Sequence, residues 1–203
     1  MQQQVDEAVS ILKRGGLVAF PTDTVYGLGA WGNHRQAVER IYQLKERPRN
    51  MPLPLLLASA SQISEVADPV PQIAWLLASK FLPGALTIVL PRSKSVPDFI
   101  TAGGITVAIR IPAHPIPVAL VQGLGAPIVG TSANLSGKPS SLTADEVYSQ
   151  FSDKIDLVID GGRCLGGKES TIVDITGEVP VVLREGAISR EELEQVCGSI
   201  MFK

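Results

Sequence analysis

Residues 5–21, VDEAVSILKRGGLVAFP, contain the local pattern from which the fold of this chain is predicted. Their apolar residues recur at helical spacing, at Val5, Ala8, Val9 and Leu12. The glycine pair at 15–16 is expected to end this helix. The run that follows, LVAFP at 17–21, is short and apolar, as in a buried strand. The stretch therefore predicts a helix that leads directly into a strand of the core.

The same alternation continues along the chain. Further helices are predicted at 38–44, 73–81, 116–122, 143–151 and 189–196, the last two with capping-box spacing at Thr143 and Ser189. Short apolar strands are predicted at 54–58, 86–91, 106–112, 126–131, 156–160, 170–176 and 180–185. Such close alternation predicts an α/β domain in which a twisted sheet is covered by helices on both faces, giving three layers. The alternation is too irregular for an all-parallel sheet.

Composition limits what this domain can do. The 203 residues are 45% hydrophobic, which is enough for one domain over residues 1–203. Lys and Arg number 18 against 20 acids, so no overall positive field draws the chain to nucleic acid, and any anion site must be local. Two cysteines are too few for a disulfide framework. They also lack the spacing of metal ligands and only two histidines accompany them, so we expect no metal held by protein side chains. Without a signal peptide or membrane-length apolar run, we expect a cytoplasmic protein with no membrane contact.

Two familiar catalytic patterns are imitated but incomplete. GRCLGGKEST at 162–171 begins like a phosphate-binding P-loop, but Glu169 stands where Ser or Thr should follow Lys168. GTSAN at 130–134 could present Ser132 as a nucleophile, but the second glycine of a nucleophile elbow is missing. Neither a P-loop nor a serine hydrolase is therefore favoured.

Three other stretches are better candidates for an anion site. TSANLSGKPSS at 131–141 crowds hydroxyl groups after a buried strand, where open α/β sheets bind ligands, although it could be an ordinary polar loop. In LKERPRN at 44–50, Lys45 and Arg47 could be a solvated helix end, but Pro48 would end the helix and fix the direction of Arg47, which suits a polyphosphate. FPTDTVYGLGA at 20–30 places hydroxyl groups and one acid between a strand and a glycine-containing loop, and an ordinary connection stays open there.

Two arginines lie inside apolar strands. Arg110 is in TVAIRIP and Arg184 is at the end of PVVLRE. A buried guanidinium must meet an anion, whereas one on an exposed strand face needs no partner.

Taken in order, these runs resemble the YrdC/Sua5 family, the threonylcarbamoyl-AMP synthases. The matching runs are FPTDTVYGLG, KERPRNMPL, FLPGALTIVLP, VAIRIPAHP, TSANLSGKPS, STIVDIT and LREGAI. They extend from Val18 to Ile188, and the resemblance implies the short, single-domain form with a YrdC-like mixed sheet and a concave basic groove.

The resemblance also implies an activity. ATP, with Mg²⁺ on its triphosphate, would react with L-threonine and bicarbonate to give threonylcarbamoyl-adenylate and pyrophosphate. A downstream tRNA threonylcarbamoyl transferase would use the product to make N6-threonylcarbamoyladenosine at adenosine 37. The alternatives are a module that binds tRNA or double-stranded RNA, and a paralogue that acts on another carbamoyl-adenylate.

Residue roles carried over from the family fall on three sets. The catalytic signature falls on Lys45, Arg47, Ser132 and Asn134. ATP is expected to contact Arg47, Met51, Thr106, Ser132, Ser140 and Arg184. Threonine is expected to contact Thr24, Tyr26, Arg110, Gly130 and Ser170. The chain departs from the family pattern at Met51 and Leu56, where many relatives have asparagine and histidine, and the glycine-rich segment 161–169 is a candidate lid.

Overall fold

The computed structural model describes residues 2–202, which form seven α-helices and ten strands. The helices are α1 Gln2–Lys13, α2 Arg35–Lys45, α3 Ile63–Val66, α4 Gln72–Phe81, α5 Pro115–Leu124, α6 Ala144–Phe151 and α7 Arg190–Cys197. The strands are β1 Val18–Phe20, β2 Gly27–Trp31, β3 Leu55–Leu56, β4 Leu86–Pro91, β5 Thr106–Arg110, β6 Ile128–Ser132, β7 Leu157–Val158, β8 Thr171–Asp174, β9 Val181–Arg184 and β10 Met201–Phe202.

All ten strands form one sheet in the order β10-β9-β8-β4-β5-β3-β6-β2-β1-β7. Four neighbouring pairs are parallel and five are antiparallel, so the sheet is mixed, as predicted. The two-residue strand β3 lies at the centre, where Leu56 is opposite Arg110 of β5 and Ile128 of β6.

The two faces of the sheet are covered differently. One face packs against α2, α3, α4, α6 and α7 in the larger apolar core. The other face carries α1 and α5, which pack against each other and against β1 and the first residues of β6. The same face of β4, β5, β8 and β9 is not covered by these two helices, and its side chains line a cavity. The three-layer prediction is confirmed, and the uncovered half-sheet is where the site lies.

The segment expected to be a glycine-containing loop after residue 26 is instead strand β2, antiparallel to β1. Glycine is uncommon in strands, so the residue types of this segment do not predict a strand. Here glycine is required, because a Cβ on Gly27 or Gly29 would lie 2.8 Å from the Phe20 ring. Strand β10 was also not predicted.

Three smaller expectations need correction. The apolar spacing of residues 73, 76, 77 and 81 predicts that Leu76 is buried in α4, but Leu76 is 48% exposed. Helix α2 ends at Lys45 because Glu46 adopts a left-handed cap with φ 52°, so Pro48 does not itself end the helix. The capping box at Ser189 is complete, whereas Thr143 caps α6 but Glu146 accepts from Leu142 N instead of Thr143 N.

Within residues 2–202, no helix is both long enough and apolar enough to cross a membrane.

Candidate active site

A cavity of about 390 Å³ lies on the uncovered half of the sheet. Side chains alternate across a sheet, so every second residue of the strands faces it: Thr87 and Val89 of β4, Ala108 and Arg110 of β5, and Gly130 and Ser132 of β6. Loops before β2, after α2 and before β8 complete the walls. Three arginines, Arg47, Arg110 and Arg184, line this cavity against one carboxylate, Glu169. The cavity is therefore suited to a ligand with more than one negative group.

Arg110 is buried at the base of the cavity. Its guanidinium donates to the Gly84 carbonyl at 3.0 Å, to Thr24 Oγ1 at 2.9 Å and to Asp23 Oδ1 at 2.7 Å. Burial lowers the pKa of Arg110, and the adjacent Asp23 carboxylate opposes that effect. The expectation that this strand arginine meets an anion is confirmed, because it pairs with the Asp23 carboxylate. Asp23 Oδ1 also accepts from Ala113 N at 3.1 Å.

A second wall is built around Arg184 and the two residues that precede β8, Glu169 and Ser170. Arg184 donates to the Ser170 carbonyl through Nε and Nη2, at 3.2 and 2.8 Å, and forms an ion pair with Glu169. The other oxygen of Glu169 accepts from Ser140 Oγ at 2.5 Å. Ser170 Oγ is 2.8 Å from Thr87 Oγ1 and 3.1 Å from Arg184 Nη2. Ser140, Ser170 and Arg184, predicted as ligand contacts, are thus joined in one network.

Arg47 shapes a third wall with the segment that follows it. Its Nε and Nη2 donate to the carbonyl oxygens of Met51 and Pro52 at 3.2 and 3.0 Å, and Tyr42 also donates to Met51 O, at 3.0 Å. Burial lowers the pKa of Arg47, and the nearby Arg184 charge acts in the same direction. Met51 lines the cavity with a side chain that is 46% exposed.

Lys45 does not line the cavity, in contrast to the expectation that it faces a ligand beside Arg47. It is only 2% exposed, and its ammonium donates to the backbone carbonyls of Ser132 and Asn134. Burial lowers the pKa of Lys45 to about 8, with Arg47 adding to the shift and Glu169 opposing it. Lys45 therefore fixes the turn after β6 from beneath.

The structure brings most of the predicted site residues to one place. The lining residues include Thr24, Tyr26, Arg47, Met51, Arg110, Gly130, Ser132, Ser170 and Arg184. Four others do not line it: Lys45 and Asn134 lie behind Ser132, Ser140 lies behind Glu169, and Thr106 lies on the cavity face of β5, two residues from Ala108. The Asn134 amide donates to the carbonyls of Leu135 and Lys138, so it supports the turn.

Tyr26 contributes to the wall in an unexpected way. Its hydroxyl donates to the Gly162 carbonyl at 2.9 Å and accepts from Gly161 N at 3.3 Å. Burial, the largest effect, raises the pKa of Tyr26 to about 12. The Tyr26 hydroxyl thus anchors the candidate lid segment, which is also tied to Thr24 O by Gly167 N at 3.0 Å.

Sequence reasoning missed Glu169 as a site residue and missed the apolar part of the cavity. Glu169 was noticed only because it breaks the P-loop pattern. The apolar lining includes Leu56, Val89, Ala108, Ile172 and Leu183. Taking every second residue on the same strand face as Arg110 would have identified Ala108 and, through the sheet pairing, Val89 and Ile172.

Protein ligands for a metal ion are not assembled here. Among residues 2–202, no group of three or more His, Cys, Asp or Glu side chains could hold one. Glu169, the carboxylate in the described cavity wall, is already engaged by Ser140 and Arg184. The residues present therefore do not fit a metal site made by the protein.

Comparison with known proteins identifies the family of this chain. The family model for Sua5, YciO and YrdC, which has the description "Telomere recombination", matches residues 10–186. The chain belongs to this family. Among its Sua5/YciO/YrdC relatives, the threonylcarbamoyl-AMP synthase of Pyrococcus abyssi is 47% identical over 193 residues, and that of Bacillus subtilis is 43% identical over 198 residues. The aligned parts are 95% and 97% of this chain but 57% of each relative, so the chain spans little more than half their length.

Solved structures of this family have the same fold. P. abyssi Sua5 complexed with L-threonine has a TM-score of 0.97 at 45% identity, covering 100% of this chain and 60% of that one. Escherichia coli YciO has a TM-score of 0.87 at 32% identity, covering 95% and 94%. The YrdC-like mixed α/β fold expected from the sequence is therefore confirmed.

Proposed function

We propose that this protein makes threonylcarbamoyl-adenylate from ATP, L-threonine and bicarbonate. The observation that carries the proposal is one cavity with two kinds of anion-binding wall. Arg110 with Thr24 and Asp23 forms the first kind. Arg47, Ser132 and Arg184, from the second and third walls, form the other kind, the phosphate-facing wall. The threonylcarbamoyl-AMP synthases that share 43–47% identity with the chain, and the L-threonine complex of P. abyssi Sua5, support the assignment.

The Arg110 wall would hold the amino acid. A buried guanidinium fixed by Gly84 and Asp23 offers a preoriented charge-assisted contact to a carboxylate. Thr24 and Ser170 add hydroxyls, and Gly130 leaves space beside Leu56 because a Cβ there would lie 2.6 Å from Leu56 Cδ1. Threonine would thus be held by its carboxylate, leaving its amine directed into the cavity.

The phosphate-facing wall would hold the triphosphate. The apolar residues Val89, Ile172 and Leu183 lie in the same cavity and suit a nucleoside. The amine and bicarbonate give a carbamate with loss of water, and a carbamate oxygen then attacks the α-phosphorus as the bond to pyrophosphate breaks. Arg47 and Arg184 would offset the repulsion between the two anions and stabilise charge on the departing pyrophosphate. ATP would bring Mg²⁺ on its own phosphates, since the protein presents no metal site of its own among the described residues.

The product would serve the threonylcarbamoylation of adenosine 37 in tRNA, through a separate transferase. We place this role in the cytoplasm, where ATP and tRNA are available, and we assign it to a single domain over residues 1–203. A module that only binds RNA is the alternative. Its affinity for tRNA would fall steeply with salt, because binding would depend on released counterions.

Pyrophosphate release tests the proposal. The purified protein is incubated with ATP, Mg²⁺, bicarbonate and each amino acid in turn, with each component also omitted singly. We expect release that requires both threonine and bicarbonate. Release with another amino acid would indicate a paralogue with different specificity, and no release with any amino acid would refute the synthase.

A further inference from the structure

Two residues expected to contact ATP, Ser140 and Arg184, meet at one carboxylate, Glu169. Its Oε1 accepts from Ser140 Oγ at 2.5 Å, and its Oε2 forms the ion pair with Arg184. Burial alone would raise the pKa of Glu169, but the Ser140 hydrogen bond, the Arg184 charge, the neighbouring Ser132 hydroxyl and the Lys45 charge outweigh it and keep the pKa below its usual value. Glu169 is therefore an anion at neutral pH, inside a cavity built for anions.

The proton count at Ser140 limits how this wall can bind a ligand. A serine hydroxyl has one proton to donate, so Ser140 cannot donate to Glu169 and to a phosphate oxygen at once. Arg184 also directs one end of its guanidinium at Glu169 while Ser170 receives the other. A polyphosphate that accepts from Ser140 must therefore replace Glu169 as the acceptor, and one that pairs with Arg184 competes with Glu169 for the guanidinium charge.

We propose that Glu169 is an internal anion that competes with the triphosphate for Ser140 and Arg184, and that it is displaced when the nucleotide binds. This inference rests on the proposed function and deepens it, because it identifies a residue that sets the affinity of the same site. The exchange lets the wall keep its donors satisfied, at the cost of weaker nucleotide binding.

The surroundings of Glu169 permit a side-chain movement without loss of the strand that follows. Its backbone carbonyl accepts from Ala187 N at 2.9 Å, which fixes the main chain beside β8. Its side chain is 30% exposed, so the carboxylate can turn toward water without crossing the core. Gly166 and Gly167 precede it, and Gly167 has a φ of 67°.

Binding of inorganic tripolyphosphate and of ATP tests the exchange in the full chain. For Glu169→Gln we expect the Kd of tripolyphosphate and the KM for ATP to fall about tenfold, since one repelling charge near the phosphates is removed. The kcat is not expected to rise, because the competition acts on binding. The matched control is Glu185→Gln, which removes an equal charge from an exposed residue beside Arg184, and its Kd should stay within about twofold of the wild type.

A second variant and a melting measurement guard against misfolding. Glu169→Ala should also bind tripolyphosphate more tightly, and both variants should show a larger increase in Tm on adding tripolyphosphate than the wild type. Unchanged or weaker binding in both folded variants would overturn the exchange. Tighter binding without threonine-dependent pyrophosphate release in any form would support the exchange and refute the proposed synthase. Absence of tripolyphosphate binding in all forms would overturn the exchange, and the synthase would then stand or fall by threonine-dependent pyrophosphate release.

Discussion

The ammonium of Lys45 donates to the backbone carbonyl oxygen of Asn134, 89 positions further along the chain. The same ammonium donates to the Ser132 carbonyl, and the Lys45 carbonyl accepts from Ser136 N at 3.0 Å. Helix α2 is thus fastened to the end of β6, where Ser132 lines the cavity, and to the turn that follows. Two motifs that the sequence suggested as separate parts of one site are physically a single unit.

Replacing Lys45 with Ala should reduce both activity and stability. The carbonyls of Ser132 and Asn134 would lose a buried donor, so we expect a loss of about 2 kcal/mol in the free energy of unfolding. We also expect the rate of pyrophosphate release to fall about 10²-fold or more, since Lys45 no longer holds the end of β6 at Ser132. Urea unfolding and steady-state kinetics measure the two effects, and unchanged stability would contradict the fastening role.

Arg47→Ala should reduce activity without reducing stability to the same degree. Arg47 is half-buried and its carbonyl partners Met51 and Pro52 are exposed to solvent, so its removal should change stability by less than about 1 kcal/mol. The rate should still fall about 10²-fold, the usual scale for one preorganised electrostatic donor. Arg49→Ala is the matched control, because Arg49 pairs with Glu39 outside the cavity and should alter neither quantity. Full activity in Arg47→Ala would remove Arg47 from the site.

Activity should decline as the pH rises through about 8. The pKa of Lys45 is lowered to about 8 by burial, so above this pH the lysine loses the positive charge that strengthens its hydrogen bonds to both carbonyls. The profile of kcat/KM against pH should show this falling limb. Lys45→Arg keeps its charge throughout, so any activity that the variant retains should lack the limb.

The same pKa predicts a change in stability with pH. Unfolded lysine keeps its proton up to its usual pKa of 10.5, whereas folded Lys45 releases it near 8. Between these values the unfolded state binds more protons, so Lys45 makes stability increase with pH, relative to Lys45→Met. Above pH 10 the raised pKa values of Tyr26 and Tyr42 act in the opposite direction, so the comparison by urea unfolding belongs at pH 7–10. The free energy of unfolding of the wild type minus that of Lys45→Met should therefore rise between pH 7 and 10, and a fall would contradict the lowered pKa of Lys45.

Asp23→Asn should weaken use of the amino acid more than catalysis. The Asp23 carboxylate orients Arg110 at 2.7 Å, and without its charge the guanidinium is held less firmly. We expect the KM for threonine to rise about tenfold, the KM for ATP to stay near the wild-type value, and kcat to change little. Asp98→Asn, which breaks an exposed ion pair with Arg35, is the control. If only the KM for ATP changed, Arg110 would be assigned to nucleotide binding instead of threonine binding.

Gly130 and Leu56 should be coupled. A Cβ at Gly130 would lie 2.6 Å from Leu56 Cδ1, so Gly130→Ala must push Leu56 into the cavity. We expect the KM for threonine to rise about tenfold or more, and the added substitution Leu56→Ala to recover much of this loss. Additive losses in the double variant would show that the two residues do not share the pocket wall.

Prediction from sequence succeeded where local chemistry and tertiary packing agree. The side chains expected to be buried from their helical spacing are buried in α1, at Val5, Ala8, Val9 and Leu12. The glycine pair after α1 leads into β1, also as expected. It failed where the environment decides. Strand β2 exists because Gly27 and Gly29 fit against the Phe20 ring, which no local propensity reveals.

The candidate site followed the same division. The burial of Arg110 could be anticipated from the apolar strand around it. By contrast, whether Lys45 faces the cavity or the turn beneath it depends on the packing of α2 against the turn after β6, and Glu169 gains its partners only when Ser140 and Arg184 meet in space.

Following the carbon of ¹³C-bicarbonate tests the proposed synthesis of threonylcarbamoyl-adenylate most directly. The protein is incubated with ATP, Mg²⁺, L-threonine and labelled bicarbonate, and the nucleotide products are examined by mass spectrometry. We expect an adenylate that contains threonine and one labelled carbon, formed with equimolar pyrophosphate and absent when any component is omitted. AMP and pyrophosphate without a labelled adenylate, or no turnover of ATP by the folded protein, would contradict it.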